Sequence, residues 1–176
     1  EGNLVVGGSI SMRISNSGVQ DCYFAGNTVI NSGNLMIYLE DGASDCFIQN
    51  NTFGENNSNA VRVDYGTGNI IRSNTFIGNK PWDLILLLEG GNLELAAPTV
   101  TETAGSNISG TTAPFGCVEV YLYEKNRIAS LGFASADANG GFTFASAEPL
   151  SGKQVILLVT DIAGNTSAFS QPIAIP

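Results

Sequence analysis

Short apolar runs alternate with turn residues along the whole chain, and in the first half this pattern repeats at a fixed interval. The triplets Asn27-Thr28-Val29, Asn51-Thr52-Phe53 and Asn74-Thr75-Phe76 are separated by 24 and 23 residues. Further columns keep the same step, and their members are Ile37, Val61 and Ile85; Leu39, Val63 and Leu87; and Gly42, Gly66 and Gly90. A fixed period of roughly 20–50 residues is the signature of a repeat architecture. The first half therefore predicts stacked structural repeats.

Each repeat contains short strand-like runs. Apolar and polar positions alternate in segments such as MIYLEDG and AVRVDYG, each of which ends in a glycine turn. The 3.6-residue spacing that a helical repeat requires is absent. Stacked coils place each strand about 4.8 Å from its copy in the next coil, so identical side chains form ladders. We therefore predict a solenoid of strands over residues 1–95, in which Asn27, Asn51 and Asn74 form an amide ladder.

The repeat stops before Pro98, and longer alternating strands follow. These include CVEVYLYE, GFTFASA and QVILLVTD, and Gly/Asn turns separate them at 137–141 and 161–165. Short strands with turns every 8–12 residues or so are typical of an antiparallel β-sandwich. The Cys…Trp…Cys signature of antibody domains is missing. We predict a sandwich of the broader immunoglobulin-like class over residues 96–176, and an all-β chain.

Both halves resemble known families. The repeated NNTF…N…G…I…V pattern resembles the right-handed parallel β-helix repeats of pectate-lyase-like enzymes and of many secreted surface proteins, over roughly residues 10–95. The ending LLVTDIAGNTSAFSQPIAI resembles the last two strands of bacterial immunoglobulin-like modules. The combination implies a short β-helix of about three to four coils, followed by a sandwich, in a large bacterial cell-surface or secreted protein. It does not imply an activity, because a fold hosts many functions.

Composition and charge exclude two classes of partner. The net charge is −9, with 16 acidic residues, 7 basic residues and no histidine. Because no Lys/Arg run is present, the sequence lacks the electrostatic footprint of a nucleic-acid-binding protein. The longest apolar runs, at 84–88 and 155–159, are far too short to span a bilayer. The first residues also lack the basic and apolar regions of a signal peptide.

Acidic residues share columns of the repeat. Asp21 and Asp45 occupy one column, and Glu40 and Asp64 occupy another with Arg62 beside them. Stacking places such pairs about 5 Å apart, which is the carboxyl separation of retaining glycosidases. Stacking alone produces the same pairs in any solenoid with acids in one column. We therefore expect a solvated acidic ladder and no catalytic residue, and a polysaccharide lyase or hydrolase is the alternative.

The three cysteines make an odd count, so at least one thiol is free or pairs between molecules. Cys22 and Cys46 are stacked neighbours whose predicted separation falls within the disulfide range. Their alternation with Phe24 and Ile48 points them inward, where a free cysteine behaves as a small apolar residue. A buried thiol pair is our expectation and a disulfide is the alternative. Cys117 is expected to be structural, or exposed and able to form an intermolecular link.

Candidate ligand contacts are few. Asp161 and Asn165 lie in a Gly/Asn turn and are calcium candidates, although an Asx-turn that stabilises the loop explains them as well. No other metal or cofactor is indicated. Tyr65 and Trp82 are candidates to stack on the sugar rings of surface glycans, and Trp82 is alternatively a packing plug between the two halves.

The start of the chain, EGNLVVGGSISMRIS, becomes strand-like almost at once. A terminal coil presents unpaired backbone groups that can accept another strand. If the chain is complete, we expect head-to-tail self-association that builds an oligomer or filament, and if it is a fragment this expectation lapses. The functional expectation is a non-catalytic, extracellular structural or adhesive surface protein. A polysaccharide-binding or polysaccharide-degrading β-helix is the alternative.

Overall fold

The computed structural model describes residues 1–55, 59–79 and 84–176, and these residues are almost entirely β-structure and loops. In the first half the strands are β1 (Leu4–Val6), β2 (Ile10–Ser15), β3 (Tyr23–Ala25), β4 (Thr28–Ile30), β5 (Leu35–Glu40), β6 (Phe47–Gln49), β7 (Thr52–Gly54), β8 (Val61–Asp64), β9 (Ile70–Arg72), β10 (Thr75–Ile77) and β11 (Ile85–Leu88). After a 3₁₀ turn at Gly91–Glu94 they are β12 (Thr99–Ala104), β13 (Asn107–Thr111), β14 (Cys117–Glu124), β15 (Arg127–Ser135), β16 (Gly141–Ala145), β17 (Gln154–Thr160) and β18 (Ile173–Ala174). Within the described ranges, no helix has the length and apolar character needed to cross a membrane.

Parallel sheets run along the first half, and each takes one strand from every coil. One sheet has the order β11-β8-β5-β2, a second has the order β3-β6-β9, and a third begins β1-β4-β7-β10. Partners in register lie one repeat apart, as when Val5 pairs with Val29 and Ile37 pairs with Val61. The result is a β-solenoid of about three turns, which confirms the prediction of stacked strand repeats.

The corners of the coils recur at fixed points of the repeat and use left-handed backbone conformations. Two sets of corner residues have positive φ, namely Gly26, Asn50 and Ser73 before the ladder asparagines, and Asp41, Tyr65 and Glu89 after β5, β8 and β11. Glycine and asparagine tolerate this conformation, whereas a bulky L-residue pays a steric penalty there. Tyr65, with φ of 66°, is therefore the costly member of its column.

Inward-facing side chains form one apolar core along the solenoid. Val29, Phe53 and Phe76 are stacked on successive coils and are buried, and the rings of Phe53 and Phe76 lie 5.6 Å apart between centroids. The core continues beyond the solenoid, because Tyr121 and Ile156 of the second half belong to the same cluster.

The second half consists of antiparallel strands. One sheet has the order β12-β13-β16, and the strands β15-β14-β17-β18 extend the third solenoid sheet. A second apolar core takes side chains from both, including Ile108 and Phe142 from the first and Val118 and Leu157 from the second.

The two halves are joined by backbone pairing and by packing. β10 pairs antiparallel with β15, so Phe76 lies opposite Ile128. β17 is buried on both faces, because Leu157 packs in the second core while Ile156 and Leu158 pack in the solenoid core. The division into domains at residues 1–95 and 96–176 stays a prediction, because side chains pack continuously between the two halves.

Candidate functional site

The outer side of the β2–β5–β8 sheet carries a cluster of charged side chains, which we call the charged face: Arg13, Tyr38, Glu40, Arg62 and Asp64. The strands place these residues outward because Ile37, Leu39, Val61 and Val63 alternate with them and point into the core. Strand register aligns Arg13, Tyr38 and Arg62 on three successive coils. The cluster is therefore assembled by the repeat, with each coil contributing one or two members.

Each carboxylate of the charged face pairs with an arginine. Nε of Arg62 donates to Oδ1 of Asp64 at 2.9 Å and Nη2 donates to Oδ2 at 2.7 Å, while the Tyr38 hydroxyl donates to Oδ2 at 2.6 Å. Arg13 forms the corresponding pair with Glu40. The guanidinium carbons of Arg62 and Arg13 lie 4.9 and 5.9 Å from the centroid of the Tyr38 ring. Both distances are within the range of cation–π attraction.

These contacts keep both carboxylates ionised at neutral pH. The hydrogen bond from Arg13 lowers the pKa of Glu40. Burial alone would raise the pKa of Asp64, but hydrogen bonds from Arg62 and Tyr38 outweigh it and the pKa is lowered. The hydrogen bond to Asp64, with burial, raises the pKa of Tyr38 to about 12. A general acid needs a carboxyl with a raised pKa, whereas the lowered pKa values of Glu40 and Asp64 are those of ion-paired carboxylates.

The acidic columns differ in their exposure. Glu40 and Asp64 are only 6 % and 4 % exposed, so the expectation of a solvated ladder is wrong for this column. The reason is that arginine and tyrosine side chains cover them, Arg13 from the preceding coil over Glu40, and Arg62 of the same strand with Tyr38 of the preceding coil over Asp64. Asp21 and Asp45 are exposed, and both lie at left-handed corners with φ of 55°.

The asparagine column forms a buried ladder. The backbone N–H of Asn27 donates to Oδ1 of Asn51, and the N–H of Asn51 donates to Oδ1 of Asn74, both at 2.9 Å. Asn3 extends the ladder by donating its N–H to Oδ1 of Asn27 at 2.9 Å. The side chains of Asn51 and Asn74 thus satisfy the buried N–H groups of Asn27 and Asn51.

The column that contains Cys22 and Cys46 continues along the solenoid as a second asparagine ladder, formed by Asn69 and Asn92. The N–H of Cys46 donates to Oδ1 of Asn69 at 3.1 Å, and the N–H of Asn69 donates to Oδ1 of Asn92 at 3.0 Å. Sequence reasoning missed Asn92, although it lies one repeat of 23 residues after Asn69. Cys22, Cys46 and Cys117 are free thiols. Burial raises the pKa of the Cys46 thiol to about 11.

The loop that holds the calcium candidates is an Asx-turn. Oδ1 of Asp161 accepts the N–H groups of Ala163 and Asn165 at 2.9 Å, and Oδ2 accepts Nδ2 of Asn165 at 3.0 Å. Oδ1 of Asn165 accepts the N–H of Gly68 in the solenoid at 2.7 Å. Among the described residues, no group of three or more His, Cys, Asp or Glu side chains is placed to hold a metal ion.

Asn165 belongs to a set of side chains that covers the last strand of the β3–β6–β9 sheet, and we call this set the cap: Glu119, Asn165 and Thr166. The cap accepts backbone N–H groups in the way that a further coil would. The donor–acceptor pairs are Gly68 to Asn165 at 2.7 Å, Ile71 to Thr166 at 2.9 Å, and Ser73 to Glu119 at 3.0 Å. Sequence reasoning missed Glu119 and Thr166, and the one available signal was a lone acid within the apolar strand CVEVYLY.

Glu119 is a buried carboxylate at the junction of the two halves. Its side chain is 1 % exposed, and the Tyr121 hydroxyl donates to Oε2 at 2.8 Å. Burial raises the pKa of Glu119, and hydrogen bonds from Ser130, from the Ser73 N–H and from Tyr121 oppose the rise. The group is fully enclosed by protein, which suits a capping role and gives it no access to a substrate.

One of the two predicted sugar contacts, Tyr65, lies within the described residues. Tyr65 is 57 % exposed and projects from a left-handed corner. Trp82 lies outside the described residues. Tyr65 is therefore the member of the pair whose position on the solenoid surface is known.

Comparison with known families agrees with the architecture. Residues 3–143 match the family described as "Right handed beta helix region". A search of curated proteins finds no match for the chain. The family match covers most of the sequence and includes every parallel strand of the solenoid. The chain therefore belongs to the right-handed β-helix family.

Proposed function

We propose that the chain is a non-catalytic structural module of an extracellular surface protein, in which an immunoglobulin-like antiparallel half closes one end of the β-helix. The observation that carries the proposal is the cap. An open sheet edge exposes backbone groups that recruit other strands. Here Glu119, Asn165 and Thr166 satisfy the edge of β9, and β15 pairs with the edge of β10.

The opposite end of the solenoid supports self-association. β1, β2 and β3 lie at the edges of their sheets among the described residues. Leu4 and Val6 of β1 are 66 % and 60 % exposed. The Asn3 carbonyl and the Gly7 N–H form hydrogen bonds with the next coil. Because the direction of backbone groups alternates along a strand, Leu4 and Val6 point their backbone N–H and C=O groups away from that coil, toward the open edge.

The edge strands left uncovered elsewhere in the molecule determine what can pair with that open end. At the far end of the solenoid the cap covers β9 and β15 covers β10, whereas β11 is an edge strand of its sheet among the described residues. The incoming strand is therefore β11 of a second solenoid, or β12, β16 or β18, the edge strands of its antiparallel half. Such a head-to-tail contact joins two different surfaces and does not close, so repeated addition builds a filament. The same strand addition would give an adhesive contact with another surface protein.

Light scattering after size exclusion, together with electron microscopy over a range of concentrations, tests self-association. Val6→Pro removes an outward N–H of β1 and keeps the bonds between β1 and β4, and Val6→Thr is the matched control that keeps the N–H. We expect concentration-dependent assembly for the unmodified chain and for Val6→Thr, and monomers for Val6→Pro with unchanged circular dichroism. Monodisperse particles of the unmodified chain at every concentration would remove the self-association part of the proposal.

Polysaccharide binding or degradation is the second candidate. It is favoured by the exposed ring of Tyr65 and by Arg13 on the charged face, whose side chain is 60 % exposed. A glycan array with Tyr65→Ala tests binding, and Phe133→Ala, which removes an exposed aromatic from the antiparallel half, is the control. An activity screen on acidic polysaccharides tests degradation. Turnover that disappears in Asp64→Asn would overturn the non-catalytic proposal.

A further inference from the structure

We propose that Cys22 and Cys46 are a site of disulfide formation, oxidised by thiol–disulfide exchange with a disulfide-bearing oxidant. Both residues are free thiols, and both directly precede residues that pair in register, because Tyr23 lies opposite Phe47. The Phe47 N–H donates to the Cys22 carbonyl at 2.7 Å, which fixes the two backbones side by side. Neighbouring strands are about 4.8 Å apart, and this lies within the Cα separation that a disulfide spans. Besides burial, the neighbouring Cys22 thiol also contributes to the raised pKa of the Cys46 thiol.

The two cysteines differ in access, which sets the order of the reaction. Cys22 is half-buried at the open end of the solenoid, whereas Cys46 is buried and its Sγ donates to the Ser44 carbonyl at 3.3 Å. An oxidant from solvent therefore reaches Cys22 first. Cys117 lies on β14 in the other half and is not part of this column, so it serves as an internal control.

The chemistry balances in two steps. The Cys22 thiol loses its proton to solvent, and its thiolate attacks one sulfur of the oxidant R–S–S–R, whose S–S bond breaks and releases one thiolate that takes up a proton. The Cys46 thiol then loses its proton to solvent, and its thiolate attacks Sγ of Cys22. The second R–S⁻ leaves and is protonated, so two electrons pass from the cysteine pair to the oxidant and two R–SH molecules form. The high pKa of Cys46 makes the second step the slow one, and it accelerates as pH rises.

The disulfide would supply a link between coils that the column lacks at Cys22 and Cys46. In later coils the same position carries Asn69 and Asn92, whose amides tie each coil to the next through the neighbouring backbone N–H. Cysteine offers no such amide between Cys22 and Cys46. A covalent bond there would tie the end coil, which has a neighbour on one side among the described residues, to the coil behind it. The physiological oxidant rests on the proposed extracellular location, but the test supplies its own oxidant.

The test oxidises the folded chain with oxidised glutathione at about pH 8.5, where more of each thiol is ionised. We expect the free thiols to fall from the three of the sequence to one. Peptide mapping without reductant should recover a peptide that joins Cys22 to Cys46. Cys117→Ser should form the same bond, and Cys46→Ser should stop at a glutathione adduct on Cys22. Oxidised protein should unfold at a higher denaturant concentration than reduced protein, and added reductant should reverse the change.

Three outcomes would overturn the proposal: a glutathione adduct on Cys22 that never resolves in the unmodified chain, a bond that joins Cys117 instead, or three thiols that stay reduced while the protein remains folded. None of these outcomes bears on the cap or on strand addition at β1. Failure here is therefore distinguishable from failure of the proposed structural role.

Discussion

Thr166→Val tests whether the cap stabilises the solenoid. In the folded chain Oγ1 of Thr166 accepts the Ile71 N–H at 2.9 Å and contacts Oγ1 of Thr160 at 2.9 Å, and Thr166 is fully buried. Valine has nearly the same shape but has no acceptor. The substitution therefore leaves a buried N–H of the last solenoid strand without a partner.

The expected cost follows from two opposing terms. A buried donor left unsatisfied costs about 1–3 kcal/mol. Replacing a hydroxyl with a buried methyl group returns roughly 0.8 kcal/mol. We therefore expect Thr166→Val to lower the free energy of unfolding by about 0.2–2.2 kcal/mol, which for a chain of this size lowers Tm by up to roughly 9 °C.

Two measurements check this prediction together. Guanidinium unfolding gives the global change, and hydrogen exchange at the Ile71 amide reports the edge itself. Thr101→Val is the matched control, because the Thr101 hydroxyl is exposed and makes a weak 3.4 Å contact with the Ser109 carbonyl. That control should stay within about 0.5 kcal/mol of the unmodified chain. If Thr166→Val is equally silent and the Ile71 amide still exchanges slowly, the cap contributes nothing and the reasoning is wrong.

Three further predictions concern a corner, a buried acid and a tight turn. Tyr65→Asn should raise the free energy of unfolding by about 0.5–1 kcal/mol, because asparagine tolerates the left-handed corner better than tyrosine. Tyr65→Phe is the control and should leave the free energy of unfolding unchanged. Denaturant unfolding measures both, and an Asn variant that is no more stable than the unmodified chain contradicts the prediction. Glu119 has a raised folded-state pKa, so its contribution to stability is complete below the unfolded pKa of about 4.3 and is lost as pH rises toward the folded pKa. Unfolding followed from about pH 4.5 to 7 should show this decline, Glu119→Gln should flatten it, and an identical pH slope in both proteins would refute the assignment. A Cβ at Gly66 would overlap the Ala43 carbonyl, whereas one at Gly18 meets no atom closer than 3.6 Å. Gly66→Ala should therefore cost more than about 3 kcal/mol or prevent folding, and Gly18→Ala should be tolerated; equal stability of the two variants would show that the corner can relax.

The stacking of the repeats and the antiparallel strands of the second half could be predicted, whereas the contacts between the two halves could not. Asn27, Asn51 and Asn74 occupy one column of the sequence, and a column of a solenoid is a ladder in space, so their stacking follows from spacing alone. Asn165 meets Gly68 across 97 residues of chain, and Thr166 meets Ile71 across 95. No period links these pairs, because they depend on how a non-repeating half docks on the last coil. The burial of Glu119 could not be predicted from the sequence for the same reason.

The charged face shows how stacked acids acquire counter-charges in a solenoid. A solenoid places every outward column beside another, two residues away along the same strand. Arg62 and Asp64 are such neighbours on β8, and Tyr38 reaches Asp64 from the preceding coil. The repeat that brings carboxylates together therefore also supplies their counter-charges, and hydrogen bonds from arginine favour the ionised form. A catalytic dyad on this fold would need an acid column without a basic column beside it, so that burial could raise one pKa. The one buried acid whose pKa is raised, among the residues that the structure describes, is Glu119, and it accepts hydrogen bonds at the junction of the two halves.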